Sequence, residues 1–321
     1  MTRSYLQAAL ACVLLAGCSE EDPPVVIEIT VGWEKLAFQD APAVLTLDVA
    51  AIDPGEAVIA TATTTPGGSF SLGEVPPDQL LRIEAHGRDA AGIERMKAKS
   101  LVALAGGIES DLWPVFIQRT GAFARPPGEL LHGHVNGVGG VLGERFLFVT
   151  GGTGIPGSEP GEPGTIAYYD MLALSSTAGA RVDNIAPRSL VVSADGSAIL
   201  LIDDQRAVWV DFDVGVQEVE LPAGLTSFAD VAGGMTVDGP EASFVVGATR
   251  LEAPSDRVLV VFPDRSIGVA TLPAPRTGAA ATWIENAGLA IAGGNDTVDG
   301  VDLLRIDAQQ AQPIGFVADP V

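Results

Sequence analysis

The sequence has 321 residues, of which 47% are apolar, and it contains 38 glycines and 22 prolines. Its 41 acidic residues outnumber its 18 lysines and arginines, and the formal net charge of -23 argues against binding to nucleic acid or to anionic lipid headgroups. The apolar content is sufficient for a packed core, while the frequent glycine and proline disfavour long helices.

Residues 1–17 are organised as an export signal. Arg3 provides a positive start, and the apolar run at residues 6–15 is too short to span a bilayer. The run ends in Leu15-Ala16-Gly17-Cys18, which resembles the lipobox of bacterial lipoproteins. The resemblance implies cleavage before Cys18 and attachment of a diacylglycerol to its thiol. An ordinary signal with a chance cysteine is the alternative.

Residues 18–24 predict a solvated tether, because Ser19-Glu20-Glu21-Asp22-Pro23-Pro24 is acidic and contains two prolines. Ser19 stands where many lipoproteins of the inner membrane carry Asp, so the resemblance implies the outer membrane or the cell surface. Cys12 belongs to the signal, which leaves Cys18 as the single cysteine of the expected mature chain. We therefore expect no disulfide, and stability has to come from apolar packing.

The segment at residues 25–119 predicts β-strands, with β-branched or alternating runs at residues 25–31, 45–49, 57–65, 69–72 and 80–85. The segment from Gly67 to Leu72, followed by Val75-Pro76-Pro77, resembles small β-sandwich modules related to carboxypeptidase regulatory domains and transthyretin. Length and turn spacing allow a seven-strand β-sandwich of roughly 95 residues.

From residue 120 onward the pattern repeats four times, with an apolar strand, a loop and a further strand in each unit. The period of about 45–50 residues is typical of propeller blades. In each unit the strand before the loop is predicted at residues 146–150, 197–202, 243–246 and 288–292, and the strand after the loop at residues 166–169, 207–210, 257–262 and 301–306.

The last unit, from Leu272 through Pro275-Arg276 and Gly293-Gly294 to Asp307, resembles a kelch repeat. In kelch blades the double glycine allows a tight turn at positive φ, and an aromatic residue followed by Asp closes the unit, as in Tyr169-Asp170. The resemblance implies a kelch-like β-propeller or partial propeller of about four blades over residues 120–321. A four-bladed ring, an open β-array and a chain shortened at its C-terminus remain alternatives.

Two motifs have a cofactor or metal interpretation that we reject. Residues 152–157 fit G-x-G-x-x-G, but residues 158–164 are rich in proline and glutamate and cannot form the helix that a dinucleotide site needs. His132 and His134 lie on the same side of an extended strand, and His86 is the only other histidine. We expect no cofactor, and a structural or solvent-facing role for these histidines.

The best calcium candidate is a polar loop near the C-terminus. Asn295, Asp296, Asp299 and Asp302 offer four side-chain oxygen donors around Gly300. The segment lacks the D-x-[DN]-x-[DN]-G spacing and no bidentate Glu follows, so a polar hairpin without metal is the default prediction.

No nucleophile motif such as G-x-S-x-G is present, and no catalytic residue is predicted. The sequence favours a lipid-anchored envelope protein without enzymatic activity that binds a protein or glycan through propeller loops. The alternative is a surface hydrolase or lyase that acts on polysaccharide with carboxylates in the propeller channel. A close carboxylate pair with a raised pKa would distinguish that enzyme.

Overall fold

The computed structural model describes most of the chain as β-structure. The described residues are 24–33, 38–39, 42–67, 69–76, 78–106, 112–130, 132–152, 164–211, 214–248, 255–294, 300–305 and 312–314. They contain 24 strands and one 3₁₀ turn, Phe228–Asp230, so the predicted all-β class is confirmed for them. In the same residues no helix is long and apolar enough to cross a bilayer. The predicted signal, Cys18 and the tether up to residue 23 lie outside them.

The chain divides into two compact units, residues 1–127 and residues 128–321. The strands of unit 1 are β1 (Pro24–Val31), β2 (Thr46–Ile52), β3 (Val58–Thr64), β4 (Ser69–Glu74), β5 (Leu80–Arg88), β6 (Glu94–Lys99), β7 (Ala103–Leu104) and β8 (Leu112–Arg119). They form one eight-stranded sheet in the order β3-β2-β5-β6-β8-β1-β4, with β7 paired to β5. Strands β1 and β8 are parallel, whereas the other pairs are antiparallel.

The core of unit 1 follows from alternation along its strands. In β8, Trp113, Val115 and Ile117 are buried, and Ile27 and Ile29 of the neighbouring β1 are buried in the same register. The β8 strand pairs with β1 over residues 112–117 and with β6 at its last two residues, so it belongs to two ladders.

Unit 2 consists of four four-stranded antiparallel sheets, each with its strands side by side in chain order. Sheet 1 holds β9 (Val138–Leu142), β10 (Phe146–Thr150), β11 (Thr165–Asp170) and β12 (Ser175–Arg181). Sheet 2 holds β13 (Ser189–Val192), β14 (Ala198–Ile202), β15 (Ala207–Asp211) and β16 (Gly215–Val219). Sheet 3 holds β17 (Met235–Asp238), β18 (Ser243–Val246), β19 (Arg257–Val261) and β20 (Ile267–Thr271). Sheet 4 holds β21 (Ala280–Ile284), β22 (Gly288–Ala292), β23 (Val301–Leu304) and β24 (Gln312–Ile314).

The second and third strands of every sheet are the strands that the repeat predicted, with ends that differ by a few residues at most. The first and fourth strands complete each sheet on either side of them. First strands lie beside one another, β9 next to β13, β13 next to β17, and β17 next to β21. Meanders arranged in this way define a β-propeller-like fold.

Alternating residues of the two middle sheets face two different neighbours. In β14, Ile199 and Leu201 pack against sheet 1, whereas Leu200 packs against sheet 3. In β19, Leu259 packs against sheet 2 and Val260 against sheet 4. The four sheets are therefore stacked face to face in the order 1-2-3-4, with three apolar layers between them.

The double glycines fulfil the role that the sequence predicts for them. Gly151 and Gly152 follow β10 with φ of 66° and 74°, and Gly294 follows β22 with φ of 74°. A Cβ at Gly151 would lie 2.3 Å from the carbonyl oxygen of Pro187, which leads into sheet 2. Glycine is needed at these turns because the backbone is left-handed and another segment passes in contact with it.

Arg276, which precedes the first strand of sheet 4, forms a buried ion pair. Its Nε lies 2.6 Å from Asp302 Oδ2 in β23, and the two side chains are 0% and 2% exposed. The same guanidinium donates to the carbonyl oxygen of Gly293 at 2.8 Å. One side chain thus connects the entry of sheet 4 to its third strand and to its double-glycine turn.

Candidate ligand-binding site

A cavity of about 640 Å³ lies at the end of unit 2 where the first strands of sheets 1, 2 and 3 finish. Its walls come from β9, from β13, from the hairpin that joins β17 to β18, and from the end of β19. The volume is within the usual range for small-molecule sites. The lining residues are Gly139, Gly140, Val141, Leu190, Val192, Ser193, Ala194, Thr236, Asp238, Gly239, Pro240, Ala242, Ser243, Val261, Phe262 and Pro263.

Two lining hydroxyl groups are oriented by hydrogen bonds within the protein. Thr236 Oγ1 donates to the carbonyl oxygen of Leu190 at 2.7 Å and so joins β17 to β13. Ser243 Oγ donates to Asp238 Oδ1 at 2.7 Å across the hairpin. Each hydroxyl donates its only proton to the protein. Its oxygen therefore has lone pairs with which it can accept a hydrogen bond from a ligand.

Ser193 supports the wall of the cavity. Its Oγ donates to Asp195 Oδ1 at 2.6 Å and accepts the backbone N–H of Ala198 at 2.9 Å. Asp195 also accepts hydrogen bonds from Ser197, and Arg265 lies 3.5 Å away. These hydrogen bonds, the one from Ser193 above all, hold the pKa of Asp195 well below its usual range. The hairpin of sheet 2 is thereby fixed in place beside the cavity.

Gly140 allows sheet 1 to approach sheet 2 at the cavity wall. A Cβ at this position would lie 3.1 Å from Val192 Cγ2, 3.2 Å from Leu190 Cδ2 and 3.3 Å from the ring of Phe148. Those distances are tight for a core that is already packed. The absence of a side chain at residue 140 therefore helps to set the shape of the cavity.

The charge of the lining comes from one residue. Asp238 is exposed, and among the described lining residues it is the only ionisable side chain, without a lysine, arginine or histidine beside it. The rest of the surface is divided between backbone, hydroxyl groups and the apolar faces of Val141, Phe262 and Pro263. The site can accept hydrogen bonds and contact apolar surface, but it has no cation for an anionic group.

Among the described carboxyl groups whose pKa is shifted, none has the raised pKa that the enzyme alternative requires of its general acid. There are six such groups, and in all six the pKa is lowered by hydrogen bonds or ion pairs. Asp170 is an example: burial alone would raise its pKa, but hydrogen bonds from Arg145 and from two backbone N–H groups outweigh that effect. A general acid for glycoside cleavage needs the opposite shift.

The structure places only one of the four calcium candidates. Asp302 is 1% exposed and its carboxylate faces Arg276, so this group already has a cation. Asn295, Asp296 and Asp299 lie outside the described residues. Over the described ranges, no three His, Cys, Asp or Glu side chains are close enough to hold a metal ion. The candidate calcium loop, for which the sequence predicts no metal by default, stays untested, and lipidation of Cys18 stays a prediction.

The two histidines of unit 2 are partly buried. His134 Nδ1 lies 2.9 Å from the carbonyl oxygen of Gly151, which ties residue 134 to the double-glycine turn. The third histidine, His86, belongs to unit 1 and pairs with Glu94 at 2.6 Å. His132 Nδ1 and His134 Nε2 are buried without a hydrogen-bond partner among the described residues, so the structural role of these histidines stays a prediction. Most of the G-x-G-x-x-G segment, from residue 153, lies outside the described residues.

Sequence reasoning did not single out the cavity residues. The available signal was indirect: the turn sequences Ser193-Ala194-Asp195-Gly196 and Asp238-Gly239-Pro240 follow the first strand of their sheets. First strands are short and variable in this chain, and the repeat was recognised from the second and third strands. The turns that follow the first strands, and the cavity that they line, were therefore not predictable from the sequence.

No family model and no curated protein matches this chain. Among solved structures it is similar to YjhT, at 11% identity and a TM-score of 0.43, over 92% of this chain and 99% of that one. It is also similar to a candidate 6-phosphogluconolactonase from Bacteroides uniformis, at 13% identity and a TM-score of 0.42, over 84% and 95% of the two chains. At these low values no functional conclusion follows from the likeness.

Proposed function

We propose that the protein is a lipid-anchored envelope protein that binds an uncharged oligosaccharide in the cavity of unit 2, without cleaving it. The observation that supports this proposal best is the chemistry of the lining, where the described residues supply oriented oxygen acceptors and apolar faces but no cationic side chain.

A neutral sugar combines the two properties that such a lining recognises. Its hydroxyl groups donate hydrogen bonds to Thr236, Ser243 and Asp238, and the C–H face of its ring packs on Phe262 and Pro263. A phosphorylated or uronic-acid ligand would instead bring an anion next to Asp238 in a protein with a net charge of -23. The cavity therefore selects against anionic ligands.

Binding is favoured over hydrolysis because the described lining of the cavity has no second carboxylate. Both retaining and inverting glycoside hydrolases use two carboxyl groups, one of them with a raised pKa. The described lining has Asp238 alone, and its nearest oriented partner is the hydroxyl of Ser243.

The proposed architecture is a β-sandwich of residues 25–119 that carries a kelch-like, four-bladed propeller region on a lipid tether. The four stacked sheets and the positive φ of Gly151, Gly152 and Gly294 support the kelch-like part. The two ladders that share β8 support the sandwich. The lipobox at residues 15–18 supports the anchor at the outer membrane or cell surface.

The binding proposal is tested by isothermal titration of the full chain with maltohexaose, cellohexaose and chitohexaose, and with a phosphorylated sugar and an oligogalacturonate for comparison. We expect heat of binding for at least one neutral sugar, none for the anionic ones, and no new reducing ends after prolonged incubation. Binding of only the anionic ligands, or release of reducing ends, would refute the proposal.

Three variants test the place and the chemistry of the interaction. Ala194→Trp places a large side chain at the exposed rim of the cavity and is expected to abolish binding, whereas Val214→Trp, at a residue that is 70% exposed and outside the lining, is expected to leave it unchanged. Asp238→Asn is expected to weaken binding, because it replaces a charge-assisted hydrogen bond by a neutral one.

The anchor is tested separately by the intact mass of protein extracted from membranes. We expect a chain that begins at Cys18 and carries a diacylglycerol, and release of a Cys18→Ser variant into the soluble fraction. A mature N-terminus at any other residue, without lipid, would rule out the anchor and leave the binding proposal standing.

A further inference from the structure

One arginine of sheet 3 is tied by its backbone to a wall of the cavity. Arg265 lies in the tight turn between β19 and β20, and Phe262 and Pro263 at the start of that turn line the cavity. The Arg265 N–H donates to the carbonyl oxygen of Phe262 at 2.9 Å, and the Phe262 N–H donates to the carbonyl oxygen of Ser266 at 3.0 Å. The position of Arg265 therefore follows that of the lining residues beside it.

The side chain of Arg265 crosses to the neighbouring sheet. Its Nη1 donates to Oδ2 of Asp211 at the end of β15, a carboxylate that is 8% exposed, at 2.6 Å. Its Nη2 donates to Ser197 Oγ at 2.5 Å and lies 3.5 Å from Asp195 Oδ2. The guanidinium also lies 5.7 Å from the centroid of the Trp209 ring, within the range of a cation–π contact. All four partners belong to sheet 2.

Two of these partners belong to the turn that forms another wall of the cavity. Ser197 and Asp195 lie between β13 and β14, where Ser193 and Ala194 line the cavity. The Ser197 hydroxyl donates to Asp195 Oδ2 at 2.8 Å, and the Ser193 hydroxyl donates to Asp195 Oδ1 at 2.6 Å. A continuous series of hydrogen bonds thus connects Arg265 to a lining residue of a different sheet.

The backbone of Arg265 is left-handed, with a φ of 67°. Glycine and asparagine adopt that conformation most readily, and they are the usual residues at such a turn position. An arginine bears a conformational cost there that its contacts with sheet 2 offset. The turn itself therefore does not account for the arginine, whereas its cross-sheet contacts do.

We propose that Arg265 is a positioning residue of the binding site, which fixes the separation of the two turns that line the cavity. One turn carries Phe262 and Pro263, and the other carries Ser193 and Ala194. Arg265 is not itself among the described lining residues, so it acts on a ligand through these turns. The inference rests on the proposed oligosaccharide binding. A ligand that touches both turns binds more tightly when their separation is set in advance, because ordering them on binding would cost free energy.

The proposal is tested by titration of full-chain variants with the neutral hexasaccharide that binds the natural chain. Arg265→Asn keeps a residue that tolerates the left-handed backbone, but its side chain is too short to reach Asp211. We expect about tenfold weaker binding, the equivalent of roughly one hydrogen bond. Arg265→Lys is expected to restore part of the affinity, because one ammonium group keeps the charge but cannot hold both partners as the planar guanidinium does.

A matched control lies at the opposite end of β19. Arg257 pairs with Asp256 at 3.2 Å and donates to Thr271 Oγ1 at 2.6 Å, and both partners flank or belong to strands of sheet 3. Its side chain is 35% exposed, close to the 26% of Arg265. Arg257→Gln is therefore expected to keep the natural affinity, whatever its effect on the melting temperature.

A second variant cuts the connection from the other side. Ser197→Ala removes the hydroxyl that Arg265 Nη2 contacts and leaves the pair of Arg265 with Asp211 in place, so it tests the proposal even if Arg265→Asn fails to fold. We expect weaker binding than in the natural chain. Natural affinity in every folded variant of these two residues, or an equal loss in Arg257→Gln, would overturn the inference.

Hydrogen–deuterium exchange of the chain without ligand separates this inference from the proposed function. We expect faster exchange at residues 193–198 in Arg265→Asn than in the natural chain, with no such change in Arg257→Gln and none in the buried strand β14 beyond residue 198. If no neutral hexasaccharide binds the natural chain, the proposed function fails, and faster exchange at these residues would still support the positioning of the turn. Unchanged exchange there would overturn it.

Discussion

Gly293 and Gly294 lie in one turn but need glycine for different reasons, a left-handed backbone alone at Gly293 and a close backbone contact in addition at Gly294. Their φ values are 72° and 74°, but a Cβ at Gly293 would meet nothing within 4 Å, whereas one at Gly294 would lie 2.8 Å from the carbonyl oxygen of Thr277. Gly293→Ala is expected to cost about 1–2 kcal/mol for the left-handed backbone. Gly294→Ala is expected to cost distinctly more in urea unfolding, and equal costs would show that the close approach has no energetic role.

The buried ion pair of Arg276 and Asp302 predicts a large effect from a single truncation. Arg276→Ala leaves a carboxylate without a partner at 2% exposure, so we expect a loss of roughly 3–5 kcal/mol in the free energy of unfolding. Arg181→Ala is the control, because its pair with Asp183 is 55% and 77% exposed and such surface pairs contribute about 0–1 kcal/mol. Similar losses for the two variants would contradict this assignment.

The hydrogen bonds to Asp195 predict a pH dependence. Since the pKa of this carboxyl is lowered in the folded chain, its contribution to stability is full above the unfolded value of about 3.9 and is lost as the pH falls further. The melting temperature of Asp195→Asn is expected below that of the natural chain at neutral pH, with a difference that shrinks below about pH 4. Parallel curves down to the acid limit would show that the carboxylate charge is not responsible.

At the scale of elements, two consecutive leucine pairs test the stacking order. Leu200 and Leu201 of β14 are both fully buried, because that strand has a sheet on each side. In β23, Leu304 is fully buried, whereas Leu303 faces outward and is partly exposed. We expect Leu→Ala to cost about 2–5 kcal/mol at Leu200, Leu201 and Leu304.

Leu303→Ala is expected to cost less than those three when unfolding is measured on dilute, monomeric protein. The comparison of Leu303 with Leu304 keeps the residue type and the strand and changes only the face of sheet 4 on which the leucine lies. If Leu303→Ala proved as costly as Leu304→Ala, the outward face of sheet 4 would have to be covered within one chain.

The sequence predicts the middle strands better than the edges. Continuous apolar runs such as Ala198–Ile202 identify strands that are buried on both faces, and the double glycines mark where the second strands end. First strands such as Met235–Asp238 are short and half polar, so they were not predicted. Which residues line the cavity depends on how three separate sheets converge, and no local pattern encodes that convergence.

The pairing of Asp302 with Arg276 was likewise not predictable from the sequence. Asp302 follows a polar segment, and the sequence makes it a candidate calcium ligand in a loop. In the structure it belongs to β23, and the register of β22 and β23 places its side chain inward beside Arg276. The Pro-Arg dipeptide at residues 275–276 belongs to the repeat pattern, whereas the buried partner of Arg276 lies 26 residues further on. Long-range pairing of this kind follows from sheet register, which a single sequence does not specify.

For the whole molecule, the strong negative charge and the lipobox favour one arrangement. A chain of charge -23 is repelled by anionic lipid headgroups, so a lipid on Cys18 would hold it near a membrane without drawing its surface onto the bilayer. The cavity would then remain open to the surrounding medium, where soluble or shed oligosaccharides are available to it.

The central claim, that unit 2 binds an uncharged oligosaccharide at the end of its first strands, is tested most directly by hydrogen–deuterium exchange of the full chain. The measurement compares the chain alone with the chain saturated by the hexasaccharide that titration identifies. The account predicts added protection in β9, β13 and the hairpin at residues 238–243, and no change there in Ala194→Trp. Protection confined to unit 1 or to the outer strands of the sheets, with none in these three segments, would contradict it.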